Sequence, residues 1–268
     1  MKKIHLIPVL ILGLFISCKD SSNPISPSIP SNSTPVGLIE YEEQLREEVK
    51  NHPSINAPII EQHQVKNIEA FLKLSHVSAV FSYQYTYYGD GKIKSISGDN
   101  RLIEEFIYKD NKLMGSQTFL LNKEGLAQSI DGNDITKFFY KDGYLLRTNV
   151  KGDFKYTYSE NGNLLKATKG NESLNYIYTA YPNTIRQEIL KIQEFSHSIR
   201  DFYLGRYSTN LIKEIKYNDL TVMTFDYEFD NLKRVTKIIM NGTTPLTSSS
   251  SNNISLGPPA NIEYILSY

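Results

Sequence analysis

The chain has no tryptophan, a single cysteine and no net charge. Its 29 basic and 29 acidic side chains cancel, which removes any bulk electrostatic case for nucleic acid or for an anionic membrane surface. One cysteine, Cys18, excludes a disulfide within the chain. Beyond His5, which lies in the N-terminal apolar run, His52, His63, His76 and His197 sit in no metal-ligand spacing, so no metal or cofactor is expected. There is no phosphate-cradling loop, no Gly-x-Ser-x-Gly and no dinucleotide fingerprint. Asp131-Gly-Asn-Asp134 lacks the rest of a calcium loop and reads as a hairpin turn. The neighbours Glu104 and Glu105 would point to opposite faces of a strand and cannot act together. No catalytic residue is assigned, and the chain is not expected to be an enzyme.

Aromatics, by contrast, make up 12% of the chain, all of them Tyr and Phe. Many occur in one repeated phrase: two aromatics two residues apart, a Gly/Asn/Asp turn, then an apolar residue. The phrase reads Tyr85-Thr-Tyr87 before Gly89-Asp-Gly-Lys-Ile93, Phe106-Ile-Tyr108 before Leu113, and Phe138-Phe-Tyr140 before Leu145. It returns as Tyr156-Thr-Tyr158 before Leu164, with looser copies at Tyr176-Ile-Tyr178 and Tyr227-Glu-Phe229. Residues i and i+2 of a strand share a face, and Asn-Gly or Asp-Gly closes a tight hairpin. The expected fold is therefore mainly β, an up-and-down antiparallel meander of about fourteen to sixteen strands. So long a sheet must curl, split into layers or close into a barrel.

Four segments are expected. Residues 1–17 form a signal peptide, with Lys2 and Lys3 before an apolar stretch, and 18–37 a Pro/Ser-rich tether. Residues 38–76 form a helical preface that covers the sheet, and 77–268 the hairpin domain. Within the preface, Leu38, Tyr41, Leu45 and Val49 give one amphipathic helix ending before Pro53. Val65, Ile68, Phe71 and Leu72 suggest a second between about Ile60 and Leu74. Thr243 to Ala260, with four consecutive serines, reads as a long mobile loop before a last strand, Ile262 to Tyr268.

Phe15-Ile-Ser-Cys18 resembles the lipobox of bacterial lipoproteins, in which the signal is cut before the cysteine and that cysteine is acylated. Two or more acyl chains, at ~0.8 kcal/mol per buried methylene, would anchor the chain to a membrane without spanning it. Lys19-Asp20-Ser21-Ser22 is similar to the stretch in Bacteroidota lipoproteins that reach the cell surface. The phrases at Tyr85–Ile93 and Tyr156–Leu165 resemble the tyrosine-aspartate repeats of Rhs-type shells, although the Asp expected after the second aromatic occurs once, as Asp230. Together with the lipobox and the helical preface, the chain resembles a family of Bacteroidota lipoproteins with a porin-like antiparallel sheet. That resemblance implies a fold and a location and carries over no catalytic residues.

The expectation is an outer-membrane, lipid-anchored protein displayed at the cell surface. Its role would be non-catalytic, binding or structural, toward a glycan or a partner membrane protein. If the hairpins align, Tyr85, Tyr87, Tyr108, Tyr140, Tyr156, Tyr158, Tyr176 and Tyr178 form a ladder on which sugar rings could stack. Packing is the ordinary use of such a face, and the lack of tryptophan counts against a sugar platform. The alternative is a carrier holding a hydrophobic ligand in an aromatic-lined lumen, and an enzyme using convergent carboxylates ranks last. A membrane-spanning barrel is disfavoured by short strands carrying Lys94, Lys137, Lys155 and Lys213.

Overall fold

The structure, a computed structural model, describes residues 35–73, 78–98, 101–149, 153–188, 202–247 and 254–268. The chain divides into a unit of residues 1–34 and a unit of residues 35–268, and only the second is described. The signal segment, Cys18, the tether up to residue 34, His76 and His197 lie outside the described residues.

Among the described residues one helix, α1 (Pro35–Lys50), precedes seventeen strands. The first are β1 (Asn67–Lys73), β2 (Ser78–Tyr87), β3 (Ile93–Gly98), β4 (Arg101–Glu105), β5 (Ile107–Lys109) and β6 (Lys112–Met114). Next come β7 (Thr118–Leu121), β8 (Ala127–Ile130), β9 (Asn133–Lys141), β10 (Tyr144–Thr148), β11 (Phe154–Tyr158) and β12 (Leu164–Lys169). The last are β13 (Glu172–Pro182), β14 (Asn210–Tyr217), β15 (Leu220–Phe229), β16 (Val235–Thr247) and β17 (Ile254–Ser267). Neighbours in sequence pair antiparallel, in an up-and-down meander. β1 then pairs with both β2 and β17 and joins the two ends of the sheet. β4 and β5 are two lengths of one strand interrupted at Phe106, the first paired with β3 and the second with β6. The result is a nearly closed barrel.

The repeated phrase explains both the pairing and the curl. In each copy the second aromatic stands opposite the apolar residue that follows the turn. Tyr87 faces Ile93, Tyr108 faces Leu113, Tyr140 faces Leu145, Tyr158 faces Leu164 and Phe229 faces Val235. In five hairpins and the β13–β14 pair one residue there is skipped in the register: Lys94, Gln128, Leu146, Leu165, Thr236 and Lys213. A bulge bends its strand and increases the local twist. Six of them at the same end of the strands supply curvature there, which a flat meander would lack.

Four turns at that end share one hydrogen-bond pattern. The N–H of the first residue donates to the carbonyl of the fifth, and the N–H of the fourth donates back to the carbonyl of the first. The turns are Tyr88–Lys92, Asn122–Leu126, Ser159–Asn163 and Asp230–Arg234. The fourth position has positive φ each time, occupied by Gly91 (82°), Gly125 (78°), Gly162 (81°) and Lys233 (61°). The first residue also caps its own turn where its side chain can. Asp230 Oδ1 accepts from the N–H groups of Leu232 and Arg234, Asn122 Oδ1 from Glu124 and Leu126, and Ser159 Oγ from Asn163. In two of these turns Asn122 and Ser159 thus cap where Asp230 does in the third.

Two expectations are corrected. Residues 60–73 are not helical: 53–66 form neither helix nor strand and 67–73 are β1. The spacing of Val65, Ile68 and Phe71 suits a helix, but Ile68 and Ala70 alternate into the barrel. Ala70 stands opposite both Tyr264 and Phe81, where its small side chain seats β1 between two ring-bearing strands. The helical part of the 38–76 region is therefore α1 alone. Thr243 to Ala260 is not a long loop either, since β16 and β17 remain paired out to Thr247 and Ile254.

Side chains alternate apolar-in and polar-out. Ile68, Tyr264, Leu266, Ile238, Met240, Phe225, Ile215, Leu174, Tyr176, Ala167 and Tyr156 are buried around one continuous inner row. At ~1.5–3 kcal/mol for each large apolar side chain removed from water, this row dominates the stability. The outer wall carries Glu69, Lys166, Lys213, Asp226 and Glu228, with Lys237 bridging Glu263 (3.2 Å) and Glu228 (3.6 Å) across neighbouring strands. A spanning barrel needs an apolar band on that outer face. This wall mixes those charges with exposed apolar side chains such as Val80, Ile107, Ile177 and Ile265.

Candidate functional site

The eight candidate tyrosines belong to the inward rows. Tyr85, Tyr156, Tyr158 and Tyr176 are buried, and Tyr87, Tyr108, Tyr140 and Tyr178 are half-buried. They do not stack on one another across strands, because each faces an aliphatic residue or alanine. Tyr85 faces Ile96, Tyr156 faces Ala167, Tyr176 faces Ile215 and Tyr178 faces Ile212. Several hydroxyls hold backbone: Tyr87 donates to Val65 O at 2.6 Å and Tyr178 to Leu164 O at 2.8 Å. Burial pushes the phenols of Tyr85 and Tyr178 well above their ordinary range. The eight form no exposed ladder.

Two stretches outside the repeat occupy the bulged end of the barrel. The first is the strap of residues 53–66. Ile55 N–H donates to Asp142 Oδ2 (2.8 Å), Asn56 N–H to Glu160 O (3.1 Å) and His63 N–H to Thr184 O (2.7 Å), so the strap crosses three successive rim turns. The second is the connection between β13 and β14. Its 3-10 turn (Phe202–Leu204) places the Tyr203 ring 5.3 Å from Phe119 and 6.5 Å from Phe106, inside the barrel. A buried polar knot anchors this connection. Asn183 Nδ2 donates to Gln187 O and Ser208 O, Gln187 Oε1 accepts from Tyr227 Oη, and Glu188 Oε2 accepts from Ser208 N–H. Asn163 Oδ1 accepts from Thr209 Oγ1 and Asn210 N–H and ties the knot to the next turn. Tyr203 and this knot thus lie among the inward side chains at the bulged end.

Helix α1 lies on the outer face of β9 and β10. Leu45 and Val49 are buried against the wall, and the Arg46 guanidinium sits over the Phe139 ring at 5.6 Å. Glu48 pairs with Lys155, and more distantly with Arg147 (3.7 Å). The hydrogen bond from Lys155 holds the Glu48 carboxyl below the usual carboxylate range. At the same end of the helix, Lys141 Nζ donates to the carbonyl of Lys50 at 3.1 Å and satisfies part of the exposed helix terminus.

Between the last turns of α1, the strap, the β7–β8 turn, β9 and residues 205–209 lies a cleft of ≈1320 Å³. Six of its lining residues are cationic (Arg46, Lys50, Lys123, Lys137, Lys141, Arg206), against two acids, Glu124 and Asp142. Asp142 is engaged by the Ile55 N–H, and Glu124 lies 3.6 Å from Lys123. Arg206 spans the floor, with its guanidinium 5.0 Å from the centre of the Tyr144 ring and Nη2 donating to Ala57 O and Pro58 O. Burial raises the Tyr144 phenol, an effect partly offset by the Arg206 charge. Of the eight candidate tyrosines, Tyr140 alone lines the cleft. Sequence reading missed this site because its cations come from separate segments with no common spacing.

No protein-family model matches the chain, and neither does any curated protein. Among solved structures, a porin-like protein from Bacteroides uniformis matches with a TM-score of 0.55 at 15% identity. The match covers 77% of this chain and 99% of that one. At this identity, what the two chains share is the fold: the antiparallel meander of a porin-like barrel.

Proposed function

We propose that this chain is a lipid-anchored, non-catalytic binding protein of the outer membrane. In this reading the barrel is a rigid scaffold and recognition takes place at its covered rim. The observation that carries the reading is the polarity of the wall. An apolar-lined interior does not suit a water-filled conducting pore, and the lysines and acids on the exterior do not suit a lipid-facing band. Membrane attachment then falls to the N-terminal segment, where Cys18 follows an apolar run and precedes a Pro/Ser tether. The porin-like neighbour is consistent with an envelope setting. The ligand, a glycan or a partner membrane protein, meets the cleft beside α1 rather than a tyrosine ladder.

The test is Cys18→Ala in the full-length chain. Acyl labelling and retention in the membrane fraction are expected to be lost, with the folded barrel still recovered in soluble form. Retention and labelling at the parent level would sink the reading.

A further inference from the structure

We infer that the rim cleft binds an acidic polysaccharide, a sugar chain bearing carboxylate or phosphate groups. The inference rests on the reading of the rim as the binding surface and names the chemical class of its ligand.

Charge is the first support. The whole chain is neutral, yet this concavity is lined by six cations, of which Arg46, Lys50 and Lys123 pair with Glu42, Glu47 and Glu124, leaving Lys137, Lys141 and Arg206 against Asp142. A cleft lined with one sign of charge focuses its field on the solvent inside it. Lys137 and Lys141 have no carboxylate within ion-pair distance among the described residues, and Arg206 bonds only to carbonyls there. Their charge is therefore not spent on internal ion pairs.

Shape is the second. At ≈1320 Å³ the cleft exceeds the roughly 300–1,000 Å³ usual for a small-molecule pocket. It suits several linked units better than one. Local geometry is the third. Gln128 is the residue skipped in the β7–β8 bulge, and a bulge re-aims the side chain it carries. It lies next to Ser129, which faces Lys137 across the β8–β9 pair, so an exposed amide and an unpaired ammonium line one wall. Ammonium and amide together match the anionic groups and hydroxyls of an acidic sugar. A duplex nucleic acid would ask for a longer basic track than one cleft on a neutral protein provides.

Binding of the full-length chain to polygalacturonate, phosphorylated dextran, plain dextran and phosphatidylglycerol vesicles would be measured by affinity electrophoresis and sedimentation. Retardation by polygalacturonate or phosphorylated dextran is expected, with none by plain dextran, and added salt should weaken it about tenfold. Whichever charged polymer binds identifies the anionic group. Lys137→Glu combined with Gln128→Ala is expected to weaken binding about tenfold, while Lys166→Glu on the outer wall leaves it unchanged. Both variants should keep the parent's melting temperature, since neither side chain supports the fold. Equal retardation by plain dextran would overturn the acidic class, and binding to vesicles alone would replace the polysaccharide with a lipid headgroup. Failure of every ligand, or loss of binding through Lys166→Glu instead, would overturn the site. None of these outcomes bears on Cys18, so the anchor and the ligand stand or fall separately.

Discussion

The two ends of the barrel are built from similar turns and put to different use. At the far end, β8–β9 and β12–β13 are joined by tight turns through Gly132 and Gly170, both at positive φ (73° and 57°). A Cβ at either glycine would meet nothing within 4 Å. At the bulged end, Gly162 also has positive φ (81°), but a Cβ there would lie 2.3 Å from the Tyr144 hydroxyl and 2.5 Å from Ala57 Cβ. Glycine at the far end serves the backbone conformation alone. At the bulged end it also clears space for the strap and the residues beneath it. A repeated hairpin can therefore make a rim, but unrepeated segments are needed to cover one.

This difference is sharpest at the two glycines. Gly170→Ala is expected to lose about 1 kcal/mol, the cost of a left-handed conformation with a Cβ. Gly162→Ala adds a steric clash with a buried ring and with the strap, for a total of about 3 kcal/mol. Denaturant unfolding of both variants measures the gap, and equal losses would mean that the strap does not pack as described. The knot beneath it should respond on a similar scale. Asn183→Ala removes bonds to Gln187 O (2.7 Å), Ser208 O (2.9 Å) and Gln187 N–H (3.0 Å), all buried. The expected loss is about 2–3 kcal/mol, because the orphaned backbone groups remain desolvated. A loss under about 0.5 kcal/mol would show that this connection contributes little to closing the barrel.

The same contrast separates what the sequence discloses from what it hides. Alternation and turn chemistry are local, so the aromatic phrase announces the meander and the Asp131-Gly turn. Even the function of the missing Asp could be read, since Asn122 and Ser159 at that place have side chains able to cap a turn. The strap and the β13–β14 connection gave no such signal. Their partners are remote, as with Gln62 bonding Asn183 and Arg186, and nothing periodic marks them. Residues 60–74 misled because Val65, Ile68 and Phe71 satisfy a helical spacing. Only the vacant seat between β2 and β17 decides for a strand. The cleft was illegible for a related reason: Arg46, Lys137 and Arg206 converge through three different layers of the fold.

A smaller effect is expected where one copy of the repeated turn departs from the rest. Lys233 adopts the positive φ that glycine takes in the three sister turns. Lys233→Gly should stabilise the barrel by about 0.5–1 kcal/mol, the relief of left-handed strain less the added freedom of the unfolded chain. Gly125→Lys, which imposes the exception on a regular copy, should do the reverse. Thermal melts of the pair would show shifts of opposite sign; shifts of the same sign would mean that the four turns are not equivalent.

The gentlest perturbation tests how α1 is held against the cleft wall. Glu48 titrates below the ordinary carboxylate range, chiefly because Lys155 donates to it, with the Arg147 charge adding to the effect. A carboxyl depressed in the folded state contributes stability that is complete above the ordinary glutamate range. That contribution is lost as pH falls through the lower folded value. The pair is partly exposed, so the contribution is small and salt-sensitive. Its signature is a midpoint rather than an unfolding energy. In Lys155→Gln, the Glu48 carboxyl, followed by carbon-13 resonance, should titrate closer to the ordinary value, and Lys166→Gln should leave it where it is. If the midpoint in Lys155→Gln matched the parent, the Arg147 charge would have to hold Glu48. The link from α1 to the β11 strand would then be a contact without electrostatic consequence.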